Sequence, residues 1–339
     1  RRQRQMCIRD RGITMLLLNE QEMRAAVTCE DIMEAVEKAF LLFEKGDCKM
    51  ADRYTASDKG NTMLYMPCFV DGVIGTKMLA EFPGNPAKGY PYLSGLMVLN
   101  NAENGQPEAI MNGSVITALR TGAVGGVAMK HFSGPDTYSV GLVGCGVQGV
   151  HQLMYACSVR DITHIYLYDV PEKDLKPFIS KLKEMIAPKT PEIIICENTT
   201  ELLKNSQTVI TATQAREPLF PNDPALLEGK CFIGIGSWQP VMREYPEAIW
   251  DVVDCVYTEL PFACEESGDL SQPLDSGALT MDRVRYMGNY LTRKYAGEEI
   301  ALGKTRFYKS VGMGIFDAMA AKKIMECAKK KSLGKEISL

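Results

Sequence analysis

The stretch TYSVGLVGCGVQG, residues 137–149, decides how the rest of the chain is read. Val140, Leu142 and Val143 form a short apolar, β-branched run with the character of a buried parallel strand, and Gly144, Gly146 and Gly149 follow it as G-x-G-x-x-G. Val150, Leu153, Met154, Ala156 and Cys157 then keep a helical spacing. The glycines therefore stand where the backbone N–H groups of a helix N-terminus can receive a pyrophosphate. A second apolar run, HIYLYD, ends on Asp169, 20 positions past Gly149. A glycine turn alone arises by chance, but a strand before it, a helix after it and an acid at the tip of the next strand together make a dinucleotide-binding βαβ unit. Asp169 can accept both ribose hydroxyls and would repel a 2′-phosphate, and Val170, Pro171 and Glu172 supply no arginine. NAD(H) is therefore expected in preference to NADP(H).

Downstream the alternation continues: a helix around Lys173 to Met185, EIIIC, a helix around Thr200 to Lys204, then TVITAT, KCFIGIGS and VVDCVYTE. Strands alternating with helices predict a parallel, doubly wound Rossmann-type sheet. Upstream the pattern differs. In LLLNEQEM, Asn19 and Glu22 have the spacing of a capping box, Thr28 caps a helix carrying Ile32, Val36, Phe40 and Phe43 on one face, and Gly46 ends it. Up to that glycine the reading is helical. TMLYMPCFV, VIGTKMLAEF, SGLMVLN and EAIMNG then read as strands, with Asn104-Gly105 as a hairpin turn. Ser114 is expected to cap VITALRTGAVGGVAMKHF, a bridge between domains, and Asp317 to Lys330 reads as an amphipathic helix returning to the first domain. The expected organisation is α/β throughout. Residues 1–14 are a disordered tail or artefact, with the natural start at Met15. Residues 15–118 with 316–335 form an α+β substrate and dimerisation domain, and 119–315 form the NAD-binding Rossmann domain.

At 339 residues, 46% of them apolar, the chain is long enough for two cores. A net charge of −4 with interspersed signs gives no basic face for nucleic acid, and no run approaches the length of a membrane span. Eleven cysteines without C-x-x-C spacing and only three histidines give no metal cluster, and point to reduced thiols in a cytoplasm.

His131, His151 and His164 read as structural, so a proton-handling group must be sought elsewhere. Lys77 lies inside the apolar strand VIGTKMLAEF and Arg120 inside the apolar bridging helix. Desolvated cations are costly without a partner. Either both hold a substrate carboxylate, or each reaches solvent or meets a protein carboxylate. Arg53 lies in a polar, loop-like stretch and carries less information.

GTKMLAEFPGNP, NGQPEAIMNGSVITALRTGAVGGVA, GLVGCGVQG, ITATQAREPLF, GIGSWQPVMRE and KSVGMGIFDAMAA follow one another in the order seen in the ornithine cyclodeaminase and mu-crystallin family, which the chain resembles from Met15 onward. The resemblance implies an NAD(P)-binding Rossmann domain, a second domain that forms a homodimer, and a substrate that is an α-amino acid or its imine. It further implies that Arg53, Lys77 and Arg120 surround the substrate carboxylate, with Lys77 and Arg120 as the catalytic pair and Val311 against the substrate. Gly146, Val147 and Gln148 would meet the pyrophosphate, Asp169 the ribose, Thr211 and Thr213 the nucleotide, and Ser310 the nicotinamide side. Two departures matter. The family's ornithine cyclodeaminases carry an aspartate where this chain has Trp238, and a glutamate where it has Leu64. The expected activity is a ketimine reductase or an amino-acid dehydrogenase resembling alanine dehydrogenase. The alternatives are an ammonia-releasing cyclodeaminase and a non-catalytic, crystallin-like protein that binds NAD(P)H or a small ligand.

Overall fold

The computed structural model describes residues 13–293 and 303–338. Of the expected tail, residues 1–12 lie outside the described residues. Two compact units are found: residues up to Arg120 together with those from Met313 onward, and Thr121–Gly312.

The first unit contains β1 (Thr14–Leu18), α1 (Glu20–Ala26), α2 (Cys29–Lys45), β2 (Cys48–Met50), β3 (Tyr54–Asp58), β4 (Asn61–Val70), β5 (Val73–Glu81), β6 (Leu93–Asn101), β7 (Pro107–Asn112) and the start of α3 (Gly113–Phe132). Asn19 and Thr28 each close a capping box, with Glu22 and Asp31, as their spacing predicts. The leucines before Asn19 are not helical. They form β1, which pairs in parallel with β7, because the Asn19 cap fixes the helix start only after Leu18. Nor does Ser114 cap α3: Asn112 Oδ1, two residues earlier at the end of β7, accepts from the N–H groups of both Ser114 and Val115. The strands β2 and β3 were not anticipated.

The eight-stranded sheet runs from the final strand (Lys335–Ser338) through β1, β7, β6, β5 and β4 to β2, with β3 also paired to β4. Along β5 the side chains alternate, and Val73, Gly75, Lys77 and Leu79 share the buried face. The C-terminal helix, Gly314–Lys330, packs on that face. Gly75 permits the approach: a Cβ there would lie 2.6 Å from the Cβ of Ala318. The register that puts Gly75 under Ala318 brings Lys77, the next residue on that face, under Asp317.

The second unit is built on β8 (Ser139–Val143), α4 (Val147–Val159), β9 (His164–Tyr168), α5 (Lys176–Ile186), β10 (Glu192–Ile195), α6 (Thr199–Asn205), β11 (Thr208–Thr211), β12 (Cys231–Gly234), β13 (Val253–Thr258), β14 (Val284–Tyr286) and β15 (Thr305–Lys309). All eight strands are parallel, in the order β10-β9-β8-β11-β12-β15-β13-β14. Strand order reverses at β8, so the carboxyl ends of β8 and β11 flank a topological switch point, where open α/β sheets bind ligands. Helix α5 begins at Lys176, later than expected, because residues 170–173 form a turn, closed by the Lys173 N–H on the Val170 carbonyl at 3.0 Å. Strands β14 and β15 were not foreseen. No described helix is long and apolar enough to cross a membrane.

Candidate functional site

Each unit carries its own set of groups. In the second unit, β8 runs into the glycine turn. Gly144 adopts φ +98°, in the left-handed region, and a Cβ there would lie 2.6 Å from the Ala212 carbonyl oxygen. Gly149 lies so close to the turn that a Cβ would come within 2.3 Å of the Gly144 oxygen. Gly146 differs from both. It caps α4 with no side-chain acceptor, it is exposed, and a Cβ there would meet nothing within 4 Å. The first N–H groups of α4, beginning at Val147 and Gln148, thus face open space at the positive end of a 13-residue helix. Val147 is 67% exposed, while the Gln148 side-chain oxygen is buried without a donor among the described residues. An open cradle at Gly146 over unsatisfied amides fits a pyrophosphate.

Asp169 follows β9 directly. Its Oδ2 accepts from the Cys145 N–H at 2.7 Å and from Lys173 Nζ at 2.7 Å, and its Oδ1 accepts from the Val170 N–H at 2.8 Å. Burial alone would raise its pKa, but these three donors hold the carboxyl below the usual range. The Cys145 thiol, pushed up to about 12 first by burial and then by Asp169, is no nucleophile.

Two buried carboxylates brace the turns at the same edge of the sheet. Glu244 accepts from the hydroxyl of Thr211, from both the N–H and hydroxyl of Thr213, and from the N–H of Gly236. The Thr211 hydroxyl is therefore turned inward, and Thr211 supports the turn from beneath. Glu259 accepts from the Ser310 hydroxyl at 2.5 Å and from the N–H groups of Val311 and Gly312 at 3.0 and 2.7 Å. Ser310 is buried and Val311 half-buried. Sequence reasoning named the threonines, Ser310 and Val311 but missed the two glutamates that fix them.

In the first unit, Lys77 and Asp317 are each 1% exposed and meet at 2.8 Å. The other oxygen of Asp317 accepts from Arg120 Nε at 3.0 Å. Of the two readings of these cations, the protein carboxylate is the one observed. It bridges both, and orients the remaining guanidinium donors through Nε alone. Lys77 also reaches the Thr117 hydroxyl, one turn before Arg120 on α3.

Burial drives the Lys77 pKa down, the adjacent Asp317 charge partly restores it, and the positive charges of Arg120 and Arg53 lower it again, to about 8. Arg53, half-buried between β2 and β3, thus acts on the same ammonium group. Asp317 stays below its ordinary value despite burial, because Arg120 and Lys77 flank it. The structure brings Lys77, Arg120 and Arg53 into one electrostatic group. Asp317 was overlooked, although a carboxylate within the apolar run GIFDAMAA carries the same signal that singled out Lys77.

His151 bonds the Val147 carbonyl through Nδ1, and His164 lies beside Glu192, both consistent with structural use. Trp238 and Leu64 are half-buried.

The model of the ornithine cyclodeaminase/mu-crystallin family matches residues 14–332. Alanine dehydrogenase of Archaeoglobus fulgidus is 30% identical over 324 residues, 95% of this chain and 98% of that one. Among solved structures, the Δ1-pyrroline-2-carboxylate reductase of Thermococcus litoralis, in complex with NADH and L-proline, aligns with a TM-score of 0.84 at 29% identity, covering 95% of this chain and 100% of its own. An archaeal alanine dehydrogenase dimer with bound NAD aligns equally well, at 27% identity, covering 96% and 99%.

Proposed function

Because the chain belongs to the ornithine cyclodeaminase/mu-crystallin family, we propose that it is an NADH-linked oxidoreductase interconverting a small α-imino acid and the corresponding α-amino acid. The observation that carries this reading is the fully buried Lys77, its pKa drawn down to about 8. An ammonium group so tuned is charged at neutral pH and still releases its proton readily, which suits acid catalysis. Arg120 and Arg53 grip the substrate carboxylate, Arg120 through the guanidinium edge left after Nε binds Asp317. Lys77 holds a proton at the substrate nitrogen and delivers it as the C=N bond is reduced. In the reverse direction it takes the proton back. Asp317 keeps both cations in place and is a positioning residue.

NAD would be held by Gly144, Gly146, Val147, Gln148 and Gly149, with Asp169 at the ribose, Thr213 beyond β11 and Ser310 toward the nicotinamide. When bound, it supplies or accepts hydride at the imine carbon. With that hydride and one proton, imine becomes amine and the atoms balance. Trp238 and Leu64 can neither accept a proton nor pair with an ammonium group, which supports a substrate whose body is uncharged apart from the reacting nitrogen. Assembly as a homodimer is supported by the dimeric relative and by the exposed Tyr54, Phe69 and Leu96 on the sheet of the first unit. Work in the reducing cytoplasm is supported by the described cysteines, all free thiols.

The test is a panel of cyclic imines (pyrroline-2-carboxylate and piperideine-2-carboxylate) and of pyruvate with an amine, followed by nicotinamide absorbance. Turnover is expected with at least one, and Lys77→Ala and Arg120→Ala should each lower it by on the order of a hundredfold or more. Unchanged turnover in both variants would overturn the assignment of roles. Ammonia released from ornithine without net NADH change would point to the cyclodeaminase instead.

A further inference from the structure

Asp169 is the residue expected to exclude a 2′-phosphate, yet a lysine sits directly on it. The turn formed by residues 170–173, with Pro171 at its second position, folds Lys173 back over the strand end and places Nζ 2.7 Å from Asp169 Oδ2. Helix α5 starts only afterwards, so Lys173 belongs to the rim of the adenosine site. Its side chain is 39% exposed while that of Asp169 is 15% exposed. The lysine can leave; the carboxylate, tied by the Cys145 and Val170 amides, cannot follow.

We propose that Lys173 is a cofactor-specificity residue that lets the adenosine end of this site accept the 2′-phosphate of NADPH as well as the ribose diol of NADH. The inference rests on the dinucleotide reading above. A carboxylate oxygen offers two lone-pair sites. Those of Oδ2 are taken by the Cys145 amide and Lys173, and Oδ1 gives one to the Val170 amide. A ribose diol donating two hydrogen bonds therefore finds one site open on Oδ1, and gains the second only when Lys173 swings off Oδ2. A 2′-phosphate donates nothing and carries close to two negative charges. For it, the same swing puts the ammonium group between the phosphate and Asp169, offsetting the repulsion that the carboxylate alone would impose. One lysine in two positions thus serves two cofactors, with NADH still preferred.

Titration calorimetry of the full chain with NADH and with NADPH, in low and high salt, tests this without turnover. NADPH should bind within about tenfold of NADH at low salt, and salt should weaken NADPH more, because the pairing is exposed. Lys173→Ala should weaken NADPH by roughly tenfold or more while NADH affinity holds or rises, and Lys173→Arg should keep NADPH binding. The proposal falls if Lys173→Ala weakens both cofactors alike, or if the wild type binds NADH but not NADPH. Binding of neither cofactor would overturn the dinucleotide reading and this inference with it.

Discussion

Asp317→Asn removes one charge from the centre of the cationic group and changes little in shape. In the wild type, Asp317 lies 2.8 Å from Lys77 Nζ and opposes the burial that lowers the Lys77 pKa, leaving it at about 8. An opposite charge at such range shifts a pKa by about 1–3 units. Its loss should take the Lys77 pKa further down, below about 8. The sign rests on the role proposed for Lys77: as proton donor in imine reduction it acts in its ammonium form, present below the folded pKa and lost above it. Reductive kcat/KM of the wild type should therefore fall as pH rises through about 8. In Asp317→Asn the same fall should begin at least about one unit lower, with a roughly tenfold deficit at pH 7 that shrinks on acidification. The substitution also leaves the largely buried Arg120 guanidinium without its counter-charge, a destabilisation of about 3–5 kcal/mol, visible in denaturant unfolding. Asp317→Glu, which keeps the charge, should keep the alkaline limb near its wild-type position. A folded Asn variant whose alkaline limb has not moved would refute the coupling of Asp317 to Lys77.

Two further substitutions separate fold from function. Gly146→Ala adds a methyl group that meets no protein atom within 4 Å at a backbone φ of −106°, so melting should be unchanged, whereas NADH affinity measured by fluorescence should drop at least about tenfold as the methyl enters the pyrophosphate space. Equal affinity would show that the cradle does not hold the phosphates. Gly75→Ala forces a Cβ to within 2.6 Å of Ala318 and must lift the C-terminal helix from β5; a loss of about 1–3 kcal/mol in urea unfolding is expected, together with a shifted pH profile as Asp317 moves from Lys77. A stable variant with an unaltered profile would mean that the helix tolerates the displacement.

The order of the second unit was largely written in local patterns. The buried run before Gly144, the glycine spacing and Asp169 at the next strand end are short-range features, each with one economical conformation, and they imposed a parallel sheet and a nucleotide edge. Even there the local pattern is incomplete: Lys173 lies just past Val170, Pro171 and Glu172, and it reaches Asp169 because residues 170–173 turn back rather than continuing into α5. The first unit was less legible at its ends. A run of three leucines before Asn19 has no period long enough to separate strand from helix, and only pairing with β7 makes it β1.

The chain by itself declared that Lys77 and Arg120 were cations in apolar surroundings, because hydropathy is a property of neighbours in sequence. It could not declare what they meet. Asp317 stands 240 positions from Lys77 and 197 from Arg120, and its partnership arises only when the C-terminal helix packs onto β5 over Gly75. Glu244 and Glu259 reach their turns in the same way, across strands rather than along them. Burial and long-range charge set the Lys77 pKa, and both are made by packing, which no local spacing encodes.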